Sequence, residues 1–158
     1  MKSIPEHGRP WPELKEALES AKKDDFSWRE GRMALYFYYL DEEVKRVQQE
    51  AYLSYWTENA MAQRAFPSLR KLEQEVLEMG LSLLHAPEDA VATFTSGGSE
   101  SIFMAMKTAR DWARTQRGVT EPNMVLPRTA HPAFDRAAQF LCIKPIRVAT
   151  TRNDFRAD

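Results

Sequence analysis

Residues 91–102 restrict the folds open to this chain more than any other stretch. Val91-Ala92-Thr93-Phe94-Thr95 is a short β-prone run that stops at Ser96-Gly97-Gly98-Ser99. A helical pattern follows at once, with Ile102, Ala105, Met106 and Ala109 at i, i+3, i+4 and i+7. The two glycines let the backbone come close to a ligand. A helix start offers unpaired N–H groups and a partial positive charge, and Ser96 and Ser99 add hydroxyl donors. Phosphate is the ligand that such a turn most often holds. The same residues also suit an ordinary loop in which Ser99 caps the helix. Their spacing is neither that of a Walker loop nor G-x-G-x-x-G, so the pattern leaves cradle and plain cap both open.

The rest of the chain reads as helices and short strands. Residues 1–12 are polar and proline-rich, an arm. Residues 13–23 form a short helix with Leu14, Ala17, Leu18 and Ala21 on one face and Pro12 in the first turn. The aromatic run Tyr36-Phe37-Tyr38-Tyr39 suits a strand or extended segment. Asp41-Glu42-Glu43 opens a helix with negative charge where the dipole favours it, and Val44, Val47, Ala51 and Tyr55 continue its stripe. A loop spans Asn59 to Phe66. Pro67 starts a helix with Leu69, Leu72, Val76 and Leu83 facing inward, ended by His85-Ala86-Pro87-Glu88-Asp89. After the glycine turn a helix runs to Arg117, then a strand over Asn123–Leu126, a helix over Pro132–Leu141 and a strand over Pro145–Ala149. This alternation is that of a parallel α/β sheet. Two or three such strands do not complete a sheet, so the sequence reads as the front of a larger domain, apparently truncated.

The 158 residues suffice for one domain with a core, and 43% hydrophobic with 28% charged residues is ordinary for a soluble protein. A net charge of −1 implies no nucleic-acid partner. Cys142 is the sole cysteine, so an internal disulfide and a cysteine-based metal cluster are excluded. No apolar run approaches the ~20 residues that span a bilayer, and the N-terminus lacks the apolar core of a signal peptide; a cytoplasmic location is the expectation. His7, His85 and His131 have no second ligand at zinc spacing, so no metal is expected. Ser99 lacks the G-x-S-x-G elbow of serine hydrolases.

Several motifs, in order and in register, resemble one family. Thr95-Ser96-Gly97-Gly98-Ser99-Glu100-Ser101-Ile102, then Met124-Val125-Leu126-Pro127-Arg128-Thr129-Ala130-His131-Pro132-Ala133-Phe134-Asp135, resemble the sphingosine-1-phosphate lyase branch of the pyridoxal-phosphate-dependent group II decarboxylases. Phe66-Pro67-Ser68-Leu69-Arg70-Lys71-Leu72-Glu73 and Asn59 fit the same pattern. The resemblance implies an N-terminal arm and short helix over 1–30 and a helical segment over 31–90. Residues 91–158 would be the first part of the large domain of a fold-type-I transferase that binds pyridoxal 5′-phosphate. It implies a homodimer and retro-aldol cleavage of a phosphorylated amino alcohol to an aldehyde and phosphoethanolamine. By the resemblance Gly97, Gly98 and Ser99 bind the cofactor phosphate and His131 stacks on the pyridine ring. Asn59 and Tyr38 lie near the substrate's phosphate, while Asp135 and Arg136 are structural. Seen without the family, His131 suits a satisfied loop position, Tyr38 core packing and Asn59 a turn cap.

Three departures qualify the resemblance. The family's Schiff-base lysine and the aspartate that pairs with the pyridine nitrogen lie downstream of the His131 motif, and neither Lys107 nor Lys144 matches that lysine. The 158 residues alone are therefore expected to hold no catalytic residue and to show no turnover. Ala62 stands where many lyases have histidine, which leaves the substrate open. Cys142 stands where the family has a glycine that ends a helix in the left-handed region. The alternatives are an amino-acid decarboxylase of the same family, or a non-catalytic remnant that serves as an interaction module.

Overall fold

The computed structural model describes residues 3–31, 33 and 36–151; the sequence tail 152–158 lies outside them. The chain divides into two compact units, Met1–Glu58 and Asn59–Asp158.

In the first unit α1 spans Trp11–Ala21 and continues as a 3₁₀ turn over Lys22–Asp24. It begins two residues before the expected start because Pro12 fits a first helical turn, where no N–H is needed. The run Tyr36–Tyr39 forms no strand: Tyr36 turns at φ 70° and residues 37–39 are irregular, without a ladder. Their rings are used instead. Trp28 stacks on Phe37 with centroids 4.9 Å apart and tilts against Tyr39 at 5.1 Å. The Arg29 guanidinium lies 4.8 Å over Trp28 and 4.9 Å over Tyr39. Helix α2, Glu42–Ser54, starts where the Asp41 carboxylate accepts the Val44 N–H at 2.8 Å. Glu42 collects Arg29 at 2.9 Å, Lys45 at 3.0 Å and the Tyr39 hydroxyl at 3.1 Å. One carboxylate thus ties the aromatic run to the start of α2.

In the second unit α3 covers Pro67–Leu83, α4 Gly98–Arg117 and α5 Ala133–Leu141. Strands β1, Asn123–Pro127, and β2, Lys144–Val148, pair in parallel with Val125 opposite Ile146. The β1–α5–β2 order is the crossover that parallel strands require. The core is small and lies here: Met106 from α4, Ala137, Ala138 and Leu141 from α5, and Ile143, with Ile102, Phe103, Met124 and Phe134 around them. Leu126 of β1 is also buried.

Two expectations fail in this unit. Val91–Thr95 is not a strand, because no described segment offers it a ladder partner; it leads extended into α4 with Val91 exposed. The α3 stripe does not face inward either: Leu72, Val76 and Leu83 are exposed, since nothing among the described residues covers that face. Helix α2 likewise buries none of its stripe. The end of α5 follows expectation, with Cys142 at φ 54°, ψ 45° as a left-handed cap whose N–H reaches the Gln139 carbonyl.

Two outcomes follow. A Cβ in the left-handed region costs about 1–2 kcal/mol, partly returned by glycine's larger chain entropy. Cys142→Gly therefore gains on the order of 1 kcal/mol in denaturant unfolding. The Glu42 carboxyl is lowered to about 2, first by Arg29, then by Lys45 and Tyr39. Because the folded value is the depressed one, its contribution is complete above the ordinary carboxylate range and vanishes as pH falls through about 2. Carboxyl NMR titration should show this midpoint, raised toward the ordinary range by Arg29→Ala.

Candidate functional site

The start of α4 is built by short polar contacts. Gly97 occupies the N-cap position at φ 158°, ψ 175°, a backbone region left almost wholly to glycine. No side chain caps the helix, so the amides of its first turn keep no side-chain acceptor. Ser99, for which the sequence left a cap role open, lies inside the first turn. The cap position went to glycine because the carboxylate three residues on is turned backward: Glu100 Oε2 accepts the Ser96 N–H at 2.6 Å, close to a capping box. Hydrogen bonds from Ser96 hold the Glu100 carboxyl below the usual carboxylate range. The Thr95 and Ser101 hydroxyls meet at 2.6 Å, one donating to the other, and the Gly97 carbonyl lies near both, at 3.3 and 3.4 Å, as acceptor for the remaining proton. Around Gly97 and Gly98 the space a Cβ would enter is open, with nothing within 4 Å.

His131 closes the other side. It follows the C-terminal end of β1, the sheet edge where open α/β folds place ligands. Its Nδ1 accepts the Ala133 N–H at 3.1 Å, so the neutral ring carries its proton on Nε2. The segment holding it is clamped by Arg147 of β2. Arg147 Nη1 donates to the Pro127 carbonyl at 2.8 Å and, more weakly, to that of Arg128 at 3.4 Å. Its Nη2 pairs with Asp135 in the first turn of α5. The Arg128 N–H returns a bond to the Val148 carbonyl at 3.0 Å.

Between these two walls lies a cleft of about 860 Å³. Ser99, Glu100 and Phe103 line it from α4 and Ser96 from the turn before it, Ala133, Arg136, Ala137 and Phe140 line it from α5, and His131 lines it from the segment after β1. The polar groups gather where the helices begin, and the two phenylalanines lie further along. Among the expected site residues, Ser99 and His131 meet in this cleft, and Gly97 and Gly98 belong to the same turn. Asn59 does not line it: its Oδ1 accepts the Met61 N–H at 2.8 Å and closes a local turn. Tyr38 lies in the other unit and is 97% exposed. Sequence reasoning missed Glu100 and the cleft-lining place of Arg136; an acid three residues after the N-cap was a readable signal for the first. Among the described residues no three histidine, cysteine or acidic groups gather for a metal, and no helix is long and apolar enough to cross a membrane.

No family model matches the chain. Sphingosine-1-phosphate lyase 1 of Mus musculus is 37% identical over 153 residues, covering 97% of this chain and 27% of the relative. The structure of Burkholderia pseudomallei K96243 sphingosine-1-phosphate lyase superposes with a TM-score of 0.86 at 31% identity, covering all of this chain and 38% of that one. The chain belongs to the sphingosine-1-phosphate lyase branch of the pyridoxal-phosphate-dependent group II decarboxylase family. Lactobacillus brevis glutamate decarboxylase shares the fold, with a TM-score of 0.76 at 18% identity. The chain spans about a quarter to two fifths of the length of these relatives and aligns with their N-terminal part. The expected fold, the front of a transferase large domain after a helical segment, is the one these relatives have.

Arg147 lies on β2 and lines no part of the cleft, so this lyase-branch chain separates support from contact. Arg147→Ala should speed hydrogen exchange at the Ala133 amide and lower stability by about 1 kcal/mol, a half-exposed charged pair being screened. Asp135→Asn, which leaves the bond to the Pro127 carbonyl, should lower it less. Amide exchange with denaturant unfolding checks both.

Proposed function

We propose that this chain carries the phosphate-binding and ring-stacking part of a pyridoxal-phosphate lyase. The observation that carries the reading is that Ser99, in the uncapped first turn of α4, and His131, after β1, line one cleft. The residues fit the cofactor's anionic end: open space at Gly97 and Gly98, first-turn amides without a side-chain acceptor, and the Ser99 hydroxyl. In this reading Gly97, Gly98 and Ser99 hold the phosphate and His131 covers the pyridine face. Bound there, pyridoxal 5′-phosphate would supply an electron sink for the bond broken in the substrate.

The remaining work falls to this chain's own groups. The α4 dipole and amides fix the anion without a counter-cation. The imidazole, tethered through Nδ1, presents a face of fixed orientation. Phe103 and Phe140 keep the far end of the cleft apolar. By likeness to the lyases the whole protein would be a cytoplasmic homodimer that cleaves a phosphorylated amino alcohol to an aldehyde and phosphoethanolamine. Asn59 and Tyr38 are the proposed groups near that substrate's phosphate. The amino-acid decarboxylase alternative has less support: a probable L-aspartate decarboxylase of Pyrococcus abyssi is 29% identical over the chain, against 37% for the mouse lyase, and the 18% identity of the glutamate decarboxylase carries the fold alone.

Titration of the full 158-residue chain tests the reading. Ser99→Ala should weaken inorganic phosphate and pyridoxal 5′-phosphate alike, several-fold, by loss of one hydrogen bond to a charged group. His131→Ala should weaken only the pyridine-bearing ligand. Borohydride should fix no pyridoxyl group on Lys107 or Lys144, and no aldehyde should form. Equal loss of both ligands in His131→Ala would contradict the stacking role.

A further inference from the structure

We infer that Glu100 is a positioning residue for the anion turn: its carboxylate holds the Ser96 amide, fixing which N–H groups can meet a ligand, while its charge opposes that ligand. The inference rests on the phosphate reading above and deepens it. Glu100 Oε2 accepts the Ser96 N–H at 2.6 Å, the shortest backbone contact made by a side chain in this turn. Two consequences follow from that bond. The Ser96 amide is taken out of the donor set, so the amides of Gly98, Ser99 and Glu100 and the Ser99 hydroxyl are left for an anion. The Thr95–Ser96 peptide is also held in place, immediately before the Gly97 at which α4 starts without a side-chain cap.

The carboxylate itself lines the cleft beside Ser96 and Ser99. An acid in a first helical turn is favourable to the empty helix. It is unfavourable to a phosphate at the same turn, where like charges repel. Arg136, which has no ion pair among the described residues, lines the same cleft from α5 and is the cation that shares it with this acid. Glu100 therefore trades ligand affinity for a turn already shaped before the ligand arrives.

The two effects separate by substitution. Glu100→Gln keeps an oxygen acceptor for the Ser96 amide and removes the charge; Glu100→Ala removes both. In the ligand-free 158-residue chain, Ser96 amide exchange should accelerate on the order of tenfold in Glu100→Ala and much less in Glu100→Gln. In titrations with pyridoxal 5′-phosphate and with inorganic phosphate, Glu100→Gln should bind several-fold tighter than the parent. Glu100→Ala should bind several-fold weaker than Glu100→Gln, although the two carry the same charge. A merely structural residue would shift thermal stability without this order of affinities. The inference is overturned if Ser96 exchange is the same in all three proteins, or if the glutamine and alanine variants titrate alike. If none of the three binds either ligand while the Ser96 exchange pattern holds, the phosphate reading fails and the clamp stands.

Discussion

One guanidinium holds the site-bearing unit in register. Arg147 reaches from β2 to the last carbonyl of β1 and to Asp135 at the start of α5. Everything between those two anchors, His131 included, belongs to a segment of seven residues, 128–134, pinned at both ends. Backbone pairing alone would align the strands but leave the connection after β1 free to swing. A planar group with several fixed donors restrains a carbonyl and a carboxylate at once. The imidazole then needs a single local bond, from the Ala133 amide, to settle its plane.

The α4 side reaches the same end by a different route. Hydroxyl and carboxylate contacts within 95–101 fold the turn back on itself, and none of them is spent on the first-turn amides of the helix. One wall is thus organised by contacts distant in sequence, the other by contacts two to six residues apart. The local wall is cheap to form and can be shaped early; the distant wall waits for β1, α5 and β2 to assemble.

This difference explains what could be read from the amino acids. The glycine turn, the α4 stripe, the alternation after residue 118 and the left-handed end of α5 at Cys142 are local patterns, and they were legible. The partner of Arg147 was not, because nothing in spacing links a strand arginine to a helix aspartate 12 residues away. The sequence left Ser99 open between cap and cradle, since propensity does not reveal that Gly97 would take the cap position and Glu100 would hold the Ser96 amide. Val91–Thr95 has strand composition, but a strand is defined by its neighbour, and composition carries no neighbour. Asn59 and Tyr38 show the limit from the other side: the residue types suit a site, yet one closes its own turn and the other is exposed in a separate unit.

Ala137 and Ala138, 2% and 1% exposed, are the point at which α5 meets α4. Helices separated by alanines stand close; a valine or leucine there would push the axes apart. The width of the gap between them is therefore governed by two methyl groups, that of Ala137 lining the cleft and that of Ala138 outside its lining. A lineage could retune what fits between these helices through Ala138, which does not line the cleft.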